Sequence, residues 1–429
     1  MIPRFKPTLA AIVMLSAVAP LSAQTTREEI YADIDKAGGL YYAYPGPQSV
    51  QTPAPKGYKP FYISHFGRHG SRWCSEKRVY KDIVDILDSA KTLGVLTPWG
   101  EDVLRRYSLA YDDAHSRYGE LTARGYAQHQ GIATRMYESF PEVFKGKGHV
   151  VANATRTPRV TVSMMAFCDQ LKQFNPSLRI DADASVRDMR FLSLLSRESA
   201  RYELSDSLVR ETEKFRLAHL HPERLMHKLF SSNEFINSIN TVQLFDDMAE
   251  IALIIQNSNL DFDLYDVFTK EELFDKWQIR NYHYYTTKNC DPAGGHMLAS
   301  SAIQLLRHVI DQADYAVGGG DLAATLRFSH DAYLVPLATI LRVDGCRGIS
   351  YDPEKYYEVF SDFKVSPMGG NLQMIFFRNK AGEVIVKFLL NENEVGIPLE
   401  TDMYPYYRWE DVRSYYVSYY NMFWRSDYE

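Results

Sequence analysis

Three short segments carry residues whose types and order suit shared chemistry. They are Ser64-His65-Phe66-Gly67-Arg68-His69-Gly70-Ser71-Arg72, Asn153-Ala154-Thr155-Arg156-Thr157-Pro158-Arg159 and Arg327-Phe328-Ser329-His330-Asp331. Each continues a short apolar run that reads as a strand and leads into a helical pattern or a turn. In an open α/β sheet, sites form outside the carboxyl ends of the strands. Three such ends would bring several arginines, two histidines and one carboxylate to one pocket. That inventory suits phosphoryl transfer from a monoester, because planar guanidinium forks match the charged equatorial oxygens of the transferred group. Arg68 and Arg72 flank His69, and Gly70 would let backbone approach a phosphate closely. Arg159 falls in a first helical turn, where free N–H groups and the helix dipole favour an anion. A nucleophilic His69 must be unprotonated, and the neighbouring guanidinium charges disfavour imidazolium. Asp331, beside a phosphate-binding His330, would give the leaving alkoxide its proton. Arg156 is a further candidate for phosphate contact, with a surface ion pair as its alternative. Taken singly, each residue has a plainer reading: a surface turn, a helix-surface arginine, or a helix cap at Asp331.

The elements that must position these residues are legible in outline. Thr26 to Ala37 is helix-like, Pro45 to Pro60 a Pro-rich loop, and Lys59 to Phe66 a strand. Val79, Ile83, Ile86, Leu87 and Ala90 recur at helical spacing. Thr97-Pro98 and Thr157-Pro158 read as N-cap and first-turn pairs, and Leu121-Thr122 opens another helix. His149 to Asn153 and Ala324 to Phe328 are strands, and Asn371 to Phe377 with Val384 to Leu390 form a hairpin. Leu298 to Ile310 and Leu334 to Leu341 are helical. Residues 187–289 are polar, helical and poor in strand signals, as in an inserted cap. The pattern predicts a three-layer α/β sandwich with a mixed, mostly parallel central sheet and an inserted helical cap domain. The core comprises residues 24–186 and 290–429.

Composition narrows the setting. With 45% apolar and 24% charged residues, the 429-residue chain has enough apolar surface to fold. Its formal net charge of −6 offers no concentrated positive charge for nucleic acid or an anionic membrane. Positive charge for an anionic substrate must therefore be local. Residues 1–23 read as a cleaved export signal, with Arg4 and Lys6 before an apolar stretch from Leu9 to Val18 and a small-residue end at Ser22-Ala23. A periplasmic or secreted protein is expected. The apolar run from Met248 to Ile255 is too short to span a bilayer and is interrupted by Glu250. Cys74, Cys168, Cys290 and Cys346 could form up to two disulfides in three connectivities. His219, His221 and His227 lack a metal-ligand spacing and read as solvated or cleft-lining. His65 reads as a core histidine behind the site, and Gly318 to Gly320 as a turn without the Lys-Ser/Thr of a P-loop. Oligomeric state is left open.

Together the segments resemble the histidine acid phosphatases, the branch of the histidine phosphatase superfamily that includes phytases and multiple inositol polyphosphate phosphatases. Arg68-His69-Gly70-Ser71-Arg72 matches the RHGxR signature, and His330-Asp331 the HD motif. Arg159 with Ser163 fits Arg-x-x-x-Ser, and Leu121-Thr122 with Gly125 fits LTxxG. Asn371-Leu372-Gln373 and Leu390-Asn391-Glu392 look like the C-terminal hairpin, so the resemblance spans roughly residues 59 to 395. It implies that His69 is the nucleophile, that Arg68, Arg72, Arg159 and His330 bind phosphate, and that Asp331 is the acid. It also implies a small anionic phosphomonoester substrate and no metal or organic cofactor. Cys74 stands where the longer signature has Pro. His330-Asp331-Ala332 follows the Asp type rather than His-Ala-Glu, yet Leu334-Val335-Pro336-Leu337 is similar to the inositol polyphosphate branch. Inositol polyphosphates are the leading substrate class, with sugar phosphates or a broad range of monoesters as the alternative. A phosphate-binding protein without turnover would be expected to lack His69 or Asp331, and both are present.

Overall fold

The computed structural model describes residues 25–427 except 194–196, 290, 291, 295, 296, 299 and 300. The expected export signal and Cys290 lie outside the described residues, as does part of the stretch from Leu298 to Ile310. Eight strands form one sheet: β1 (Lys59–Arg68), β2 (His149–Ala154), β3 (Arg179–Asp183), β4 (Leu322–Ser329), β5 (Asn371–Arg378), β6 (Val384–Leu390), β7 (Asn393–Glu394) and β8 (Tyr406–Arg408). Their order is β3-β2-β4-β1-β5-β6-β7, with β8 added to β6. The sheet is mixed. β3, β2, β4 and β1 run parallel, and β5 to β8 join antiparallel. The three motif-bearing strands all lie in the parallel half.

Register brings their ends level. Gly67 and Ala154 both pair with Phe328, and Arg68 pairs with Ser329, so the chain leaves β1, β2 and β4 at one height. Every residue of β4 is buried, as expected of a central parallel strand covered on both faces. On one face Ile132, Ala133 and Met136 of the helix Ala123–Ser139 and Val160, Met164, Phe167 and Leu171 of the helix Pro158–Phe174 share a core with Ile63, Val150 and Leu326. On the other, Leu305, Leu306 and Val309 (helix Ile303–Val317), Leu334 and Leu337 (helix Asp331–Ile340) and Trp409 and Val412 (helix Trp409–Asp427) pack on Tyr62, Phe66 and Met374.

A second, all-helical core stands beside this sandwich. From Met189 to Lys288 the described residues form helices and turns, plus the isolated bridge from Phe230 to Leu96. The helices Lys77–Thr92 and Pro98–Ala114 share that core, through Val79, Ile83, Val103 and Tyr107 against Phe245, Met248 and Ala252 of the helix Thr241–Ile254. The N-terminal stretch differs from its sequence reading. Its helix stops at Ala32, and a tight helical segment, Ile34–Tyr41, follows. Gly39 there has φ 56, and a Cβ on it would come within 2.7 Å of Asp362 Oδ2. The bend carries Leu40 and Tyr41 across to the strand ends. No helix among the described residues is long and apolar enough to cross a membrane.

Two histidines behind the strand ends make stability depend on pH. His65 and His129 both pack against Phe328, and burial pushes each down to about 3. His65 is thus a core residue, yet neither of its ring nitrogens has a hydrogen-bond partner among the described residues. The unfolded chain protonates these rings near 6.5 while the folded chain does not until about 3, so the unfolded state binds more protons between those values. Stability is complete above 6.5 and falls as pH drops through that window, by up to about 1.4 kcal/mol per histidine per pH unit. Urea unfolding at pH 7 and pH 4.5 should show this fall, and His65→Phe should make it shallower. Identical midpoints at the two pH values would refute the account.

Candidate active site

The Arg68–Arg72 loop is held by backbone bonds to several elements. Arg68 N donates to Gly370 O at 2.8 Å, His69 N to Ser329 O at 3.0 Å, and Gly369 N to His69 O at 2.9 Å. Thr122 caps the helix Ala123–Ser139 with its hydroxyl, and its N–H donates to Ser71 O at 2.9 Å. Ser163 Oγ accepts from Gly70 N at 3.2 Å and donates to Arg159 O, which explains the four-residue spacing. Gly70 also has a packing role. A Cβ there would lie 2.4 Å from Gly125 O, and a Cβ on Gly125 would lie 2.3 Å from Ser71 O. The two glycines let loop and helix backbones touch. The C-terminal hairpin motif holds Asn371, next to the Gly369–Gly370 segment that bonds this loop: Asn391 N donates to Asn371 O, Asn371 N to Asn391 Oδ1, and Asn391 Nδ2 to Lys364 O.

His69 is 1% exposed, with its ring centre 5.4 Å from that of His330. Its Nδ1 lies 2.9 Å from Gly70 O. A carbonyl only accepts, so Nδ1 carries the proton and Nε2 keeps the lone pair. Burial first, then Arg68, His330, Arg159 and Arg72, hold its pKa well below 6.5. Charge alone was the sequence-based reason; desolvation is the larger one. His330 Nε2 lies 3.3 Å from both the Thr155 and Thr157 hydroxyls, and burial brings its pKa down to about 4. Thr157 is the N-cap residue before Pro158, as the sequence predicts, but its hydroxyl faces His330 and makes no cap bond to the helix.

The guanidinium groups converge. Arg68 is 1% exposed; its Nη1 donates to Leu40 O at 2.6 Å and Ser366 O at 2.7 Å, and its Nη2 lies 3.3 Å from Asp331 Oδ1. Arg72 Nη1 donates to Trp73 O at 2.9 Å, and Arg159 Nη1 to Gly119 O at 3.3 Å. Burial, then the charges of Arg72 and Arg68, lower the Arg159 pKa to about 10. The Nε of Arg68, of Arg72 and of Arg159 is buried with no acceptor among the described residues. Buried donors ordinarily have partners, so these three unpaired N–H groups near one imidazole could serve as an anion clamp. Asp331 opens its helix without capping it. Its Oδ1 faces Arg68, and its Oδ2 accepts from the Tyr284 hydroxyl. Burial works to raise its pKa, but Arg68 first and then Tyr284 outweigh it and bring it down to about 2.

A cavity of about 370 Å³ opens over Arg68, Arg72 and Asp331. Its other walls are Leu40 and Tyr41 from the N-terminal bend, Thr212 from the helix Asp206–His219, and Lys276, Ile279, Arg280, His283 and Tyr284 from the helix Lys270–Lys288. Tyr41 lies between two guanidinium groups, 5.3 Å from Arg72 and 4.1 Å from Arg280, and donates to Glu250. None of these wall residues was singled out from the sequence, because they come from stretches without a motif. Arg156 is exposed between the two threonines that hold His330, and it makes no ion pair among the described residues.

The remaining candidates lie elsewhere. His219 donates to Phe215 O or Glu354 through its two nitrogens and stacks on Phe215, while His221 and His227 are exposed. Among the described residues no group of three or more His, Cys, Asp and Glu side chains is placed to hold a metal ion. Cys74 and Cys168 are buried free thiols in different cores.

Guanidinium groups, imidazole and carboxylate stand together in the arrangement that a phosphatase of the histidine type needs. Residues 67–391 match the sequence model of the histidine phosphatase superfamily (branch 2), and the chain belongs to that family. A comparison with curated proteins returns no match. Solved structures with the same fold include the Bifidobacterium longum multiple inositol polyphosphate phosphatase in complex with inositol hexasulfate, with TM-score 0.77, 18% identity, and coverage of 88% of this chain and 97% of that one. The phytase from D. castellii gives a TM-score of 0.65 at 16% identity over 90% and 85% of the two chains. Hafnia alvei phytase gives 0.54 at 15% over 86% and 98%. At such identities the likeness is one of fold.

Proposed function

We propose that this chain is an exported phosphomonoesterase working through a phosphohistidine on His69, with inositol polyphosphates as its leading substrates. The observation that carries the reading is the convergence on a neutral His69 of three guanidinium groups, Arg68 buried and Arg72 and Arg159 half-buried, each with a buried and unpaired Nε–H, with Asp331 in contact with one of them. His69 Nε2 attacks phosphorus, the N–P bond forms, and the ester P–O bond breaks. The departing oxygen takes a proton from Asp331. Water then attacks the phosphohistidine, Asp331 takes the proton of that water, and the lone pair returns to Nε2. Arg68, Arg72 and Arg159 neutralise the equatorial oxygens, His330 is an uncharged phosphate ligand, and Arg156 is a further contact at the rim.

In the free enzyme Asp331 is ionised, because Arg68 holds it so. A phosphate entering the clamp competes for Arg68 and weakens that hold, so the carboxyl is ready for a proton once substrate is bound. A substrate entering as its monoanion brings one. Lys276, Arg280 and His283 on the opposite wall suit a substrate with more than one phosphate, and the inositol phosphatase and phytases of like fold agree with that. Sugar phosphates remain the alternative, since Asp246 and Glu250 already pair with Lys276 and Arg280. Residues 187–289 act as the inserted cap, and residues 1–23 as the export signal.

The test is phosphate release from inositol hexakisphosphate, glucose 1-phosphate and an aryl phosphate, each with and without exhaustive chelation. Rates should be the same with chelator, because the positive charge at the transition state comes from arginines. The inositol ester should have the highest kcat/KM. Loss on chelation with rescue by a divalent cation would overturn the metal-free mechanism, and preference for glucose 1-phosphate would overturn the substrate class.

A further inference from the structure

The two oxygens of Asp331 have different partners. Oδ1 faces Arg68 Nη2 at 3.3 Å, and Oδ2 accepts from Tyr284, a residue of the helix Lys270–Lys288. Burial and the Asp331 charge keep the Tyr284 pKa well above 10, so the phenol donates at every working pH. A phosphate in the clamp competes with Oδ1 for Arg68, whereas the bond to Oδ2 lies away from that competition.

We propose that Tyr284 is the positioning residue of the proton-donating carboxyl: by occupying Oδ2 it places the transferable proton on Oδ1, the oxygen turned toward Arg68 and the clamped phosphoryl group. The inference rests on the assignment of Asp331 as the acid. In the transfer step the proton leaves Oδ1 for the ester oxygen as the P–O bond breaks, and the carboxylate that remains is held by Arg68 and Tyr284. In the second step Oδ1 takes the proton of the attacking water. Tyr284 neither gains nor loses a proton, and an ionised carboxylate in contact with a phenol is its resting state. Arg68 on β1, Arg72 and Arg159 at the other loop and helix ends, and His330 and Tyr333 on its own segment also face Asp331. Tyr284 is faced in addition by Arg280, whose charge Glu250 balances.

Tyr284→Phe removes only the hydroxyl. In single-turnover assays it should slow phosphoryl transfer from an alkyl phosphate by about 10- to 100-fold, within the range of general acid catalysis. Transfer from an aryl phosphate with an acidic phenol should slow by less than about 3-fold, because that leaving group needs little protonation. Losing a bond to the charged form raises the Asp331 pKa, so the alkaline limb for the alkyl ester should move to higher pH. Inhibition by inorganic phosphate should be unchanged. Equal slowing on both esters, an unmoved limb, or weakened phosphate inhibition would overturn the inference in favour of plain packing. Asp331→Asn in the same assays separates the two levels. If it discriminates between the esters and Tyr284→Phe does not, only the role of Tyr284 fails; if it does not discriminate, the acid assignment fails, and the inference with it.

Discussion

His69→Ala is expected to lower kcat by at least about 10⁴-fold on every substrate, because it removes the imidazole assigned as nucleophile. The fold should survive. His69 is neutral and buried, and its ring gives up one bond to Gly70 O, so the stability cost is on the order of 1–3 kcal/mol for the lost hydrogen bond and the small cavity. The backbone of the loop stays pinned by Ser329, Gly369 and Gly370. Phosphate affinity should persist, since Arg68, Arg72 and Arg159 keep their charges. The measurement is acid-quenched labelling with a phosphorylated substrate: wild type should carry label on His69, and the variant none. Label on a different residue would defeat the assignment.

Asp331→Asn keeps the size of the side chain and an oxygen that can still accept from Tyr284, but removes the proton donor. Hydrolysis of an inositol or sugar phosphate should fall by about 10²- to 10⁴-fold, because the departing alkoxide is a strong base. An aryl phosphate should lose less than about 10-fold in its first step and still give a burst of phenol. The geometry adds a second expectation with a definite sign. The carboxylate competes with phosphate for Arg68, so its removal should tighten inhibition by inorganic phosphate. Equal losses on both esters with no burst would mean that Asp331 serves only to hold Arg68.

Much of this site was legible because its parts sit at strand ends. Arg68, His69, Arg72, Arg159, His330 and Asp331 each follow an apolar run within a few residues, and level register in β1, β2 and β4 does the rest. The strands themselves were readable for the same reason: β4 and the hairpin of β5 with β6 are buried over nearly their whole length, so their patterns are close to continuous. β3, β8 and the two-residue β7 were not foreseen. β3 is a short, mostly exposed edge strand, and β8 has three residues; none of them has a run long enough to read.

What the residues determined alone is the chemistry: an imidazole flanked by guanidinium groups, and a carboxylate beside a second imidazole. Tertiary structure decided the protonation states and the walls of the cleft. The pKa of His69 depends first on burial, and that of Asp331 on a balance between burial, an arginine 263 positions away in sequence and a tyrosine from another helix. The helices Lys77–Thr92 and Pro98–Ala114 read as part of the α/β body but pack into the helical core, since an apolar stripe does not specify its partner. Leu40, Tyr41 and Tyr284 reach the site from segments with no motif of their own. Their contacts are long-range, and long-range contacts leave no period in a sequence: periodicity records which face of an element is buried, while only the packed chain decides what that face meets.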